Sequence, residues 1–216
     1  MSISLYGYWR SSATYRVRIA LNLKQLEYHY YPVHLVKDGG QQNADDYLRL
    51  NPSALVPAFV DDDEDFVLNQ SLSIIEYLDE KYPAPIKFMP EHALDRAVIR
   101  GMAQDIACDV QPLANLRVLN ALEDFGCKAE HRNAWAVKWI EKGFKAIEKR
   151  LQTRAGKFCF GFDVTLADIV LVPQVYNAER FGVDMSNYPL IAKVTENCRE
   201  LEAFKRAAPE NQPDAQ

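Results

Sequence analysis

The run Trp9-Arg10-Ser11-Ser12-Ala13-Thr14-Tyr15-Arg16 places hydroxyls directly ahead of a helix-periodic segment, with no cysteine, histidine or carboxylate beside them. A strand-like run ends near Tyr8, and Val17, Ala20 and Leu21 take up helical spacing from about Ala13. Arg10, Ser11 and Ser12 therefore occupy the loop over a helix N-terminus. Unpaired N–H groups and the positive end of the dipole favour an anion there, although an ordinary N-cap uses the same residue types. No general base adjoins either serine, so a covalent serine nucleophile is excluded as the best reading. The nucleophile is expected from outside the chain. A thiol suits the place, because donors and dipole that bind an anion also lower a thiol's pKa.

Two further stretches point to the same ligand class. In "LVPAF", Val56 precedes Pro57 and a strand, so its backbone is placed to pair with an extended peptide, and a cis Val56–Pro57 bond fits such a turn. In "NQSLSIIEYLDE", Gln70 and Ser71 open a second helix, where a carboxylate finds donors, though simple capping accounts for them as well. Together these features suggest a peptide-sized thiol lying across a sheet of thioredoxin-like order.

The elements that must position these residues follow from periodicity. "ISLYGY" reads as a strand, Ala13 to Leu23 as a helix and "EYHYYPVHL" as a strand, followed by a short helix in "ADDYLRL" and strands in "VPAFV" and "FVLN". The acidic "DDDED" between the last two is a solvated hairpin turn. A helix from Ser71 carries Leu72, Ile75, Leu78 and Tyr82 on one stripe. "YPAPIKFMP" is a linker, and helices are predicted beyond it over 94–125, 130–153, 165–181 and 189–207. Two domains result, 1–83 and 90–216, an α/β domain followed by an all-α one. "TLAD", Thr165 to Asp168, is a capping box with a structural role, and the tail "APENQPDAQ" is expected to fray or to lie along the surface.

Composition narrows the function classes. A net charge of -5, from 25 basic and 30 acidic side chains, gives no footprint for nucleic acid. No apolar stretch approaches the ~20 residues of a membrane span, and a cytoplasmic location is expected. Cys108, Cys127, Cys159 and Cys198 lie far apart without a C-x-x-C pair, and His29, His34, His92 and His131 are equally scattered. Reduced buried thiols and no metal site are expected.

On "SSATYRVRIALNLK", "KDGGQQ", "LNPSALVPAF", "NQSLSIIEYLDEKYP", "DVQPLANLRVL", "VTLADIVLVPQVYNAERFGVD" and "QPDA", the sequence resembles the zeta class of glutathione transferases, the maleylacetoacetate isomerases, over nearly its whole length. The resemblance implies a thioredoxin-like N-terminal domain, a helical C-terminal domain, a homodimer and glutathione as cofactor. It implies that Ser11 and Ser12 lie beside the glutathione sulfur, with Arg16 in the same motif. Gln42 and Val56 match tripeptide-binding positions, and Gln70 and Ser71 match the γ-glutamyl carboxylate site. Gln111, Asn115, Leu116 and Arg117 match a second stretch of glutathione or substrate contacts, and Arg180 matches a buried cation for the substrate carboxylate. Tyr6 and Tyr8 are strand residues with no part in activating the thiol. The chain departs from the family pattern at Ala13, in place of cysteine, and Tyr15, in place of tryptophan. The implied reaction is cis–trans isomerisation of 4-maleylacetoacetate in tyrosine and phenylalanine breakdown. Alternatives are maleylpyruvate isomerisation, a glutathione transferase or dehalogenase activity, and a non-enzymatic glutathione-binding module.

Overall fold

The computed structural model describes residues 2–216. The chain divides into two compact units, residues 1–87 with 201–216, and residues 88–200.

The first unit is built on a four-stranded sheet in the order β2-β1-β3-β4. β1 (Ile3–Gly7) pairs in parallel with β2 (His29–Pro32) and antiparallel with β3 (Ala58–Asp61), which pairs antiparallel with β4 (Phe66–Asn69). The parallel pair requires a crossover, supplied by α1 (Ser12–Leu23). A short α2 (Asp45–Leu50) precedes β3, and α3 (Ser71–Lys81) follows β4. This is the thioredoxin-like order expected from the sequence.

As the central strand, β1 buries Ile3 and Leu5 almost completely. Gly7 ends it because a Cβ there would lie 2.2 Å from Thr14 Cγ2, so its absence lets α1 approach the strand. α1 packs between α3 and α9 (Glu202–Ala207), which explains why it buries Arg16 and Arg18 as well as Val17, Ile19 and Leu21. The stripe of α3 differs from the expected one. Ser71, Ile74, Ile75 and Leu78 face the core, whereas Leu72 is half-buried, because the helix is rotated by its packing on α1. The acidic turn is a hairpin, but its first residue is no surface charge. Asp61 is buried and accepts bonds from Tyr77 Oη at 2.6 Å and Lys81 Nζ at 2.8 Å.

The tail from Ala208 lies along the surface, one of the two expected outcomes, with Pro209 alone buried, whereas the helix before it reaches the core. α9 buries Phe204 and Ala207, Asn22 Nδ2 donates to Ala203 O at 3.0 Å, and Pro209 is buried in the 3₁₀ turn that follows. The predicted helix over 189–207 is therefore two, α8 (Pro189–Arg199) in the second unit and α9 in the first, with Leu201 extended between them. No proline or glycine marks the break, so tertiary packing overrides a continuous helical pattern.

The second unit is helical: α4 (Ala93–Gln104), α5 (Leu116–Asp124), α6 (Ala129–Arg154), α7 (Leu166–Phe181) and α8. The helix expected over 94–125 is interrupted. Pro112 has no N–H to donate, so the ladder is interrupted, with a π turn over Asp105–Val110 and then a 3₁₀ turn over Gln111–Ala114. Gly143 of α6 accommodates this turn, since a Cβ there would meet Val110 Cγ2 at 2.1 Å. α7, buried over most of its length, is packed by α4, α6 and α8. Cys159 and Cys198 are buried, but Cys108 on the π turn is exposed, against the expectation of uniformly buried thiols, because a widened turn rotates the helical register. Among the described residues no helix is long and apolar enough to cross a membrane.

Candidate active site

The turn between β1 and α1 places the serine pair. Ser11 N–H donates to Tyr8 O at 3.0 Å, closing a turn with Trp9 and Arg10 at its centre. Ser11 is extended at the N-cap of α1, and its Oγ accepts from Thr14 N–H at 3.2 Å. That bond occupies an oxygen lone pair and leaves the hydroxyl proton to be donated outward. Ser12 is the first helical residue and buried, and its hydroxyl makes no hydrogen bond among the described residues. The N–H groups of Ser12 and Ala13 precede any intrahelical acceptor, so they too are open. A half-exposed hydroxyl, two N–H groups and a helix dipole converge on one spot, which is the arrangement that favours thiolate over thiol. Arg10 lies over the Trp9 ring at 5.2 Å. Tyr8 is buried in an apolar cluster with Trp9, Val33, Tyr47, Val56 and Ala58. Tyr6 stacks on Tyr31, and burial raises its pKa, which makes a tyrosinate activator unfavourable.

The α3 end of the unit offers a second set of donors. Gln70 caps the helix at φ 71, ψ 115, a left-handed conformation unusual for a non-glycine residue, and is exposed. Such strain is retained where surrounding structure enforces it, often at ligand sites. Ser71 is buried, and its Oγ accepts from Arg16 Nη1 at 3.2 Å. Arg16, itself 2 % exposed, thus lies behind Ser71 and places a charge beneath the α3 N-terminus. The Val56–Pro57 bond is cis, and Val56 N–H and C=O make no hydrogen bond among the described residues. Gln42 donates through Nε2 to Leu35 O at 3.4 Å, while its buried Oε1 has no hydrogen-bond partner. An unbonded N–H and C=O at Val56, an orphaned amide oxygen and two helix N-termini suit a ligand with a peptide backbone, carboxylates and one thiol.

In the second unit, Asn115 caps α5, its Oδ1 accepting from Arg117 N–H at 3.1 Å, and Leu116 and Arg117 are exposed. Gln111 follows the π turn, its N–H reaching Ile106 O. Arg180 sits in the last turn of α7, where Nη1 donates to Asn177 Oδ1 at 2.9 Å. It is exposed, not buried as expected, because it is the penultimate residue of α7, past the buried stretch that ends at Ala178. At the other end of α7, Asp168 accepts from Thr165 N–H at 2.8 Å, Thr165 Oγ1 at 2.9 Å and Cys159 N–H at 2.7 Å, a closed and fully buried cap.

Two residues near the serine loop escaped notice in the sequence. Arg18 and Asp214 both bind the backbone of Trp9, at 2.8 and 3.0 Å. An arginine in the middle of a helix's apolar run, and an aspartate in the motif "QPDA" far from the serines, are the only signals the sequence carries for them.

A family model described as glutathione S-transferase, N-terminal domain, matches residues 5–86. Over 216 residues the chain is 52% identical to a probable maleylacetoacetate isomerase of Vibrio cholerae, covering 100% of this chain and 99% of that one. The holo structure of a maleyl pyruvate isomerase, described as a bacterial zeta-class glutathione S-transferase, is similar with a TM-score of 0.93 at 45% identity, covering 99% of this chain and 100% of that one. A maleylacetoacetate isomerase from Anaeromyxobacter dehalogenans 2CP-1, with bound GSH in the active site, is similar with a TM-score of 0.90 at 38% identity, covering 100% and 98%. With identity of this level along the entire length of both chains, the protein belongs to the zeta-class glutathione transferases, the family of the maleylacetoacetate isomerases.

Proposed function

We propose that the protein is a glutathione-dependent cis–trans isomerase that converts 4-maleylacetoacetate to 4-fumarylacetoacetate in the breakdown of tyrosine and phenylalanine. The observation that carries this reading is the open end of α1, where Ser11 Oγ–H and the N–H groups of Ser12 and Ala13 have no acceptor of their own. When bound, glutathione would supply a nucleophilic thiolate, whose reversible attack is what would free the conjugated cis double bond to rotate. Glutathione is regenerated and no oxidant or reductant is needed.

The chain's own residues do the rest. Ser11 donates to the sulfur and, with the α1 dipole, keeps it ionised near neutral pH. Val56 pairs its backbone with that of the tripeptide, Gln42 Oε1 accepts a donor from it, and Gln70 with the α3 N-terminus holds the γ-glutamyl carboxylate. Ser71 takes part there with Arg16 as its support. These contacts fix the thiol in line, so positioning and charge stabilisation contribute together. In the helical unit, Arg180 is the residue we assign to the substrate carboxylate, to which a guanidinium fork is well matched. Arg10 and Arg117 are assigned to negative charge that develops on the substrate carbonyl, and Gln111 and Asn115 to further polar contacts with glutathione or substrate. The protein acts in the cytoplasm as a homodimer on a small diketo acid, without nucleic acid, membrane or metal. Its mass in solution, measured by light scattering, tests the dimer.

Maleylpyruvate is the second candidate substrate, supported by the similarity to a maleyl pyruvate isomerase structure at 45% identity. Following the ultraviolet spectra of both acids with and without glutathione separates them. Glutathione-dependent turnover of maleylacetoacetate at the higher kcat/KM supports the first reading, and preference for maleylpyruvate replaces it by the second. Turnover of neither acid overturns both.

A further inference from the structure

Trp9, at the centre of the turn that delivers Ser11 and Ser12, has its backbone clamped on both sides by side chains distant in sequence. Its N–H donates to Asp214 Oδ2 at 3.0 Å, and its C=O accepts from Arg18 Nη2 at 2.8 Å. Both clamps belong to one assembly. Arg18, 0 % exposed, also donates through Nε to Ala207 O at 3.0 Å, at the end of α9. Asp214 lies seven residues further on, where Tyr30 Oη donates to the same Oδ2 at 3.3 Å. The neighbouring Ala215 packs on the cluster that contains Tyr8, Trp9 and Val56. The last residues of the chain are thus fastened against the loop that carries the serines.

We propose that Asp214 is a positioning residue for thiol activation. By holding the Trp9 N–H, it fixes the turn from Tyr8 to Ser11, and with it the direction of Ser11 Oγ and of the first open N–H groups of α1. This rests on the reading that these groups bind the glutathione sulfur. The Ser11-to-Tyr8 bond holds the Tyr8–Trp9 peptide plane by its carbonyl end alone, and Arg18 holds the next plane through Trp9 C=O. Asp214 fixes the N–H end of the first plane, so that it cannot pivot about the Tyr8 carbonyl. Because misplacement of a reacting group by about 1 Å costs up to about a hundredfold in rate, a small rotation here is enough to matter.

The test compares the wild-type protein with Asp214→Ala, Asp214→Asn and Tyr30→Phe. One readout is the absorbance of the glutathione thiolate in the binary complex as a function of pH. The other, made without glutathione, is hydrogen exchange at the Trp9 amide. Asp214→Ala is expected to raise the bound thiol's pKa by about one unit, lower turnover near neutral pH about tenfold, and speed Trp9 amide exchange by more than about tenfold. Asp214→Asn, whose amide oxygen accepts the same bond, should restore all three to within about twofold of wild type. If Asp214→Ala does not fold, Tyr30→Phe carries the test, with a smaller shift in the same direction, since it removes only the hydroxyl that steadies the carboxylate. A wild-type thiol more acidic than free glutathione, but unmoved in Asp214→Ala and Tyr30→Phe, overturns this proposal alone. A wild-type thiol no more acidic than free glutathione overturns the reading beneath it as well.

Discussion

The N-termini of α1 and α7 begin with similar residues and end in opposite states. Thr165 at α7 is paired with Asp168, whose carboxylate takes three donors in a fully buried site. Burial pushes that carboxyl above the ordinary range, and the bonds from Cys159 and Thr165 pull it back only in part. At α1 there is no acidic residue in the first turn, and Ser11 closes only the Thr14 N–H. At α7 the Thr165 and Leu166 N–H groups find acceptors in Asp168 and Phe88 O, whereas at α1 the Ser12 and Ala13 N–H groups stay available to a ligand. A hydroxyl at an N-cap is therefore uninformative until the third residue is read: an acid there closes the cap, and its absence leaves an anion site.

Substitutions at the two ends should separate these roles. Ser11→Ala removes the sulfur donor, and turnover is expected to fall about 10²–10³-fold while stability drops by only about 1 kcal/mol, read by steady-state kinetics and thermal melting. An equal fall in both would merge the two helix starts into one structural class. Asp168→Ala should do the reverse, with a loss of about 3 kcal/mol as buried N–H groups at Cys159 and Thr165 lose their acceptor. The thiol pKa of the folded fraction should stay where it is in the wild type. At the opposite end of α7, Arg180→Met is expected to raise KM for the diacid about tenfold with a smaller change in kcat, and an unchanged KM would remove Arg180 from substrate binding.

The smallest effect concerns a closed network in the first unit. Burial alone would raise the Asp61 carboxyl, but hydrogen bonds from Lys81 and Tyr77 outweigh it and hold it below the ordinary range. A depressed carboxylate contributes stability in full above its unfolded pKa, and loses it as pH falls through the folded value. The stability difference between wild type and Asp61→Asn should be constant above about pH 5 and shrink below about pH 4, as followed by urea unfolding at several pH values. A difference that grows on acidification would reverse the sign assigned to Asp61.

The strands, α1, α3 and the open serine loop were legible because each rests on local information: period, caps and the placement of hydroxyls. What was not legible depends on distant packing. The break at Leu201 has no proline or glycine to announce it, and α9 exists as a separate helix because it packs on α1. The interruption before Pro112 has a signal in the sequence, since proline inside a helical pattern implies a lost bond one turn earlier. Arg16 belongs to the motif that carries the resemblance, yet its burial behind Ser71 follows only from the proximity of α1 to α3. Arg180 illustrates the converse, since its exposure follows from how far along α7 the packing extends, which ends at Ala178.

The central claim is that the start of α1 stabilises a thiolate that the chain itself does not supply. Titrating glutathione bound to the wild-type protein, by its thiolate absorbance, tests this most directly. The bound thiol is expected to ionise at least about one pH unit below free glutathione. Ionisation at the same pH as in buffer would contradict it.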